Sequence, residues 1–98
     1  MQKIFHYYTP VSVRQNNRVA IAATIEDGIM KFSASRTSKK DNFSKRIGRK
    51  IAEGRLLHGA VIHEVLVSEN ENPLHTFRQA ASTLDHSLLL NPNFVHAN

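Results

Sequence analysis

"RVAIAATIEDGIMKFSASR", Arg18 to Arg36, carries the strongest structural signal in the chain. Asp27-Gly28 suits a two-residue type I′ turn, in which both positions take positive φ. A loop at that dipeptide sets Ile25 opposite Met30, Ala23 opposite Phe32 and Ile21 opposite Ala34. All six fall on one face of the strand pair, while Thr24/Lys31, Ala22/Ser33 and Ala20/Ser35 fall on the other. Two strands that agree on the apolar face predict a hairpin with that face buried.

The flanking segments extend this hairpin into a sheet. Lys3 to Val13 is rich in aromatic and β-branched residues and reads as a strand, with Pro10 at an edge or break. Ala60 to Ser68, "AVIHEVLVS", reads as a further strand, apolar on both sides apart from His63 and Glu64, and so central or covered by a helix. Between them, Asp41 or Asn42 caps a helix beginning near Phe43, and Gly54 or Gly59 ends it. Asn72-Pro73 combines a cap with proline at the first helical position. Leu74, Phe77, Ala81, Leu84 and Leu88 follow as one helical stripe, stopped at Asn91-Pro92. The order is β-β-β-α-β-α. The expectation is an α+β fold, an antiparallel sheet with two helices packed on one face.

At 98 residues the chain makes a single domain, 1–98, with 91–98 as a tail that is flexible or contacts another copy. A core of this size leaves a thin stability margin, which makes a homo-oligomer expected. The sequence has no cysteine, which excludes disulfides, thiolate metal sites and a cysteine nucleophile. No apolar run reaches the ~20 residues that span a bilayer, and the N-terminus lacks a signal-peptide core. A cytoplasmic protein with no membrane partner is the expectation.

The net charge of +5 is concentrated in one segment. Arg36, Lys39, Lys40, Lys45, Arg46, Arg49, Lys50 and Arg55 meet only Asp41 and Glu53 there, eight cations against two acids and a local balance of +6. On the helix, Phe43, Ile47 and Ile51 form a narrow apolar seam, and the cations take the opposite arc. Glu53 stands one turn after Arg49, placed for a weak pair. Arg36, Lys39, Lys40, Ser38 and Ser44 surround the helix N-terminus, whose free N–H groups and positive dipole favour an anion. Gly48 lies beside the seam and has two readings, close approach of a ligand or a neighbouring helix, or packing of the helix on the sheet with no ligand involved. On the first strand, His6 and Tyr8 share one face and Phe5 and Tyr7 the other. Either one face is core and the other a contact with a second copy, or Tyr7 and Tyr8 are placed to stack on a base.

Other chemistries find no support. The six histidines give no ligand pair at metal-binding spacing. No nucleophile elbow, P-loop or paired-carboxylate motif occurs. The expectation is a binding protein, not an enzyme, with no metal and no cofactor.

"SKKDNFSKRIGRKIAEGRL", Ser38 to Leu56, resembles a pattern in small phage and prophage proteins: a basic lead-in, an acid, an aromatic, then S-K-x-x-G-R-x-x-A-x-G-R-L. It is most similar to anti-defence proteins that sequester the cyclic-nucleotide signals of the Thoeris system. The resemblance implies a sheet-plus-helix layout, oligomers with ligand pockets between protomers, and a messenger held intact in the host cytoplasm. The expected function is sequestration of a cyclic or ADP-ribose-derived nucleotide. Arg36, Lys39, Lys40, Ser44, Arg49 and Arg55 would hold phosphate. Two alternatives stand beside it: a nucleic-acid binder using the basic face, and an anti-CRISPR-like inhibitor of a defence complex.

Overall fold

The computed structural model describes residues 3–9, 18–36 and 44–90. Strands β1 (Ile4–Tyr8), β2 (Val19–Glu26) and β3 (Ile29–Arg36) are followed by α1 (Lys45–Leu57), β4 (His63–Leu66) and α2 (Pro73–Leu90). The four strands form one antiparallel sheet in the order β1-β2-β3-β4. The α+β class and the β-β-β-α-β-α order are as the sequence predicts.

The hairpin forms in the register its turn demands. Asp27 and Gly28 take φ of 54° and 74°, and Ile25, Ala23 and Ile21 face Met30, Phe32 and Ala34. Their face is the main core: Val19, Ile21, Ala23, Met30, Phe32 and Ala34 are buried together with Phe5 of β1 and Phe77 and Ala81 of α2. The Phe77 ring stacks between two others, 5.4 Å from Phe5 and 5.8 Å from Phe32 between centroids. Such stacks add roughly 0.5–1.5 kcal/mol beyond the burial of the rings.

The helices do not share a face of the sheet, contrary to the expectation from the sequence. Residues of opposite parity make a second cluster, Ala22 with Ala52 and Leu56 of α1 and Ile4 at its margin. Helix α2 therefore covers one face and α1 the other. This explains why Ala20, Ala22, Ser33 and Ser35, the small residues on the hairpin's second face, are as buried as the large ones.

The same fact corrects the apolar seam of α1. Ile47 is 60% exposed, and the helix instead buries Gly48, Ala52 and Leu56. A floor of alanines and serines leaves room only for a helix whose facing residues are also small. The Ser35 hydroxyl donates to the Gly48 carbonyl at 2.9 Å, a bond that needs the helix backbone close to the sheet. Of the two readings of Gly48, the structure gives helix packing. Phe43, Asp41 and Asn42 lie outside the described residues; the cap of α1 is Ser44, whose Oγ accepts from the Ile47 N–H at 3.4 Å. The helix runs through Gly54 and ends at Leu57, with Gly59 beyond it at a φ of 81°.

Two further expectations change. Among the described residues strand β4 is not central but an edge paired to β3 alone, with Leu66 79% exposed and only its inner side near α2. Its apolar run reflects one inward side, where Val65 and Val67 pack at the margin of the main core. On α2, Asn72 Oδ1 accepts from the Leu74 N–H at 3.0 Å, as a cap should. The buried stripe then runs Phe77, Ala81 and Asp85, with Leu84 half-buried and Leu74 at the rim. The expected strand beyond Thr9 and the tail 91–98 lie outside the described residues.

Candidate anion-binding face

Strand β1 distributes its side chains by simple alternation, and this builds the site. Phe5 and Tyr7 point to the α2 side. The Tyr7 hydroxyl donates to Asp85 Oδ2 at 3.1 Å, and the Thr9 hydroxyl donates to Asp85 Oδ1 at 3.0 Å. Asp85 is 3% exposed, so Tyr7 anchors a buried carboxylate on the α2 side of the sheet, away from the cations of α1. His6 and Tyr8 point the other way, to α1.

There the helix meets them with charge. The Lys45 ammonium lies 5.3 Å from the centre of the Tyr8 ring, within cation–π range. Four residues later on the same flank comes Arg49, and four more bring Glu53. Glu53 Oε1 is 2.5 Å from His6 Nε2 and 4.0 Å from Arg49 Nε. The seam between β1 and α1 thus reads, from the N-terminal end of the helix, Tyr8 under Lys45, then Arg49, then the Glu53–His6 bridge. Arg46 and Lys50 stand exposed on the outer arc beside it. No acidic residue occupies the first turn of α1 to offset them.

The remaining expected site residues are placed elsewhere. Arg55 lies on the opposite flank of α1, where its Nη1 donates to the Ala34 carbonyl of β3 at 2.7 Å. Burial there lowers the pKa of its guanidinium from the ordinary arginine value. Arg36 ends β3 opposite Val19, only 9% exposed, on the side of the sheet that alternation assigns to α2. Arg49 and Arg55 therefore do not converge on one ligand within a protomer. The Ser44 hydroxyl serves the helix cap, and Lys39 and Lys40 lie outside the described residues. His6 was not among the expected site residues. Alternation puts it beside Tyr8, but its partner Glu53 comes from a distant segment that only packing brings near.

Among the described residues no group of three His, Asp or Glu side chains converges to hold a metal ion. No helix among them is long and apolar enough to cross a membrane. A groove of about 480 Å³ lies between β4 and α2, lined by His63, Val65, Gln79 and Thr83 among others. It is on the sheet face away from the cations. The fold and this face together describe a small α+β protein with an open cationic surface edged by an aromatic ring. Comparison with protein-family models, with curated proteins and with solved structures finds no match to this chain.

Proposed function

We propose that the protein binds a phosphate-bearing nucleotide and holds it without turning it over, sequestering a cyclic or ADP-ribose-derived signal as a phage-type anti-defence protein in the host cytoplasm. The observation that carries this reading is the pairing of Lys45 with Tyr8 beside Arg49. A nucleotide needs cations for its phosphate and a flat apolar surface for its base, and the β1/α1 seam offers both within one turn of helix. The motif resemblance over Ser38 to Leu56 supports the same class of ligand. Because the cations stand on an open surface, a second copy of the chain would complete the enclosure of a small ligand. Calorimetry against cyclic dinucleotides and cyclic ADP-ribose isomers tests this. Binding that is lost in Arg49→Gln and weakened in Tyr8→Ala is expected; no binding to any member of the panel overturns it.

A second reading, nucleic-acid binding, is favoured by one specific observation. Lys45, Arg46, Arg49 and Lys50 are all exposed on a convex helix surface, a shape that suits a phosphate backbone. On duplex DNA each neutralised phosphate contributes about −0.9 to the slope of log affinity against log salt. A steep slope favours the polymer, and a shallow one the small ligand.

A further inference from the structure

Strand β4 uses only one of its two backbone edges. Just past its end the Val67 N–H bonds the Gly28 carbonyl of the hairpin turn at 2.9 Å. Backbone groups of an antiparallel strand point alternately to its two sides, so Val65 also turns to β3. The N–H and C=O of Glu64 and Leu66 then point outward, and among the described residues no strand pairs with that edge. Side chains are open there too. Leu66 is 79% exposed and Ile62, just before the strand, 42%. On the opposite face Val65 borders the groove beside α2. Edge strands are ordinarily shielded by lysine, proline or a bulge, because unpaired backbone groups invite another strand. "GAVIHEVLVS", Gly59 to Ser68, contains neither lysine nor proline. Its one carboxylate, Glu64, stands opposite Lys31 of β3.

We propose that β4 is a contact between two copies of this chain, each strand pairing antiparallel with its counterpart about a twofold axis at Val65, so that two sheets become one. This register sets Glu64 opposite Leu66 of the second copy, and Leu66 opposite Glu64 of the second copy. Both pairs exchange their backbone hydrogen bonds, which uses the outward groups of β4. It also keeps the two Glu64 carboxylates from standing directly opposite each other, an arrangement that opposes like charges. Val65 lies beside Val65 of the second copy, and the apolar side of β4 continues across the axis. Charge selects this edge over the other one. Lys45 lies over Tyr8 of β1, and Arg49 neighbours the Glu53–His6 bridge to the same strand. Joining two copies through β1 brings those cations together, whereas joining them through β4 keeps them at the far ends of the combined sheet. The contact lies away from the anion-binding face and stands whether or not a ligand binds there.

Sedimentation equilibrium of the full chain, from about 1 µM to about 1 mM, tests the contact. A monomer–dimer equilibrium is expected, and a monomer at every concentration overturns the proposal. Two substitutions at the exposed Leu66 test the register without touching the core. Leu66→Glu sets a carboxylate against Glu64 of the second copy and should weaken association roughly tenfold or more. Leu66→Lys sets a cation against the same carboxylate and should associate more tightly than Leu66→Glu. Equal effects of the two, or no effect of either, overturn the proposed pairing. Amide hydrogen exchange then reads the backbone directly. The Glu64 and Leu66 N–H groups should exchange slowly in the dimer and quickly on dilution to the monomer, while Val65 and Val67 stay protected in both. A dimer in which Glu64 and Leu66 exchange freely is held together elsewhere, and that result also overturns the proposal.

Discussion

Two glycines in one helix answer to different forces. Gly48 is buried where α1 meets the sheet, with its carbonyl held by the Ser35 hydroxyl. Gly54 is a helix-interior glycine with nothing within 4 Å of where a Cβ would stand. Replacing Gly54 with alanine should raise stability by about 0.5–1 kcal/mol, because the helix gains propensity and meets no obstacle. Gly48→Leu should do the opposite. A leucine at this buried position beside Ser35 overpacks the contact between α1 and the sheet, at a cost of about 1–3 kcal/mol. Denaturant melts of the two variants check both signs, and a stabilised Gly48→Leu would refute close packing at that position. Asp85 is the other decisive residue. It accepts from Tyr7 and Thr9 where α2 crosses the end of β1, so Asp85→Ala leaves two hydroxyls without that partner. A loss of about 2–4 kcal/mol is expected in the same melts.

At the scale of elements, the sheet holds two helices by two different kinds of contact. Helix α2 is held by large rings, Phe77 between Phe5 and Phe32, and its entry is fixed by capping. Just before it, Glu71 accepts from the Thr76 hydroxyl at 2.9 Å and from the Ser68 N–H at 3.4 Å. These bonds favour its charged form and lower its pKa from the ordinary value of 4.5, the Thr76 bond most of all. A depressed carboxylate pKa contributes stability above the unfolded-state value, and that contribution disappears as pH falls through the folded one. Glu71→Gln should therefore narrow the difference in melting temperature between neutral and acid solution, by a small amount because the group is fully exposed. A variant with an unchanged acid dependence would remove Glu71 from the account. Helix α1 is held by small residues and by polar bonds at both flanks, Arg55 to Ala34 on one and Glu53 to His6 on the other. Such a helix turns charge outward because its inner side has little room for anything but backbone.

For the whole molecule, the described cations of α1, Lys45, Arg46, Arg49 and Lys50, form an exposed face. Converting Lys45, Arg46, Arg49 and Lys50 together to glutamine should abolish the proposed anion binding while leaving the melting temperature within a few degrees of wild type. All four are exposed, and changes at exposed sites away from the core generally shift stability little. Loss of folding in that variant would mean the cations are part of the frame. Converting Arg55 alone should cost stability, since it leaves the Ala34 carbonyl without that donor.

The hairpin is legible in the sequence because a type I′ turn and strand alternation are local, and together they permit one register. The capped start of α2 is legible for the same reason, Asn72-Pro73 being a local signal. The face on which each helix lies is not. Alanine and serine look the same in sequence whether they meet water or another backbone, so the second face of the hairpin carries no sign of being covered. Hydrophobicity points α1 inward through Ile47 and Ile51, but the decisive quantity is volume, and Gly48 and Ala52 fit where isoleucine does not. Within the cationic segment the sequence by itself determined that positive charge would gather on α1. Only the tertiary structure decided which charges act together, by sending Arg55 to β3, burying Arg36, and bringing Tyr8 and His6 of β1 against Lys45, Arg49 and Glu53. Charge is a property each residue carries alone; its neighbours are chosen by packing, which joins His6 to Glu53 across 47 positions of chain.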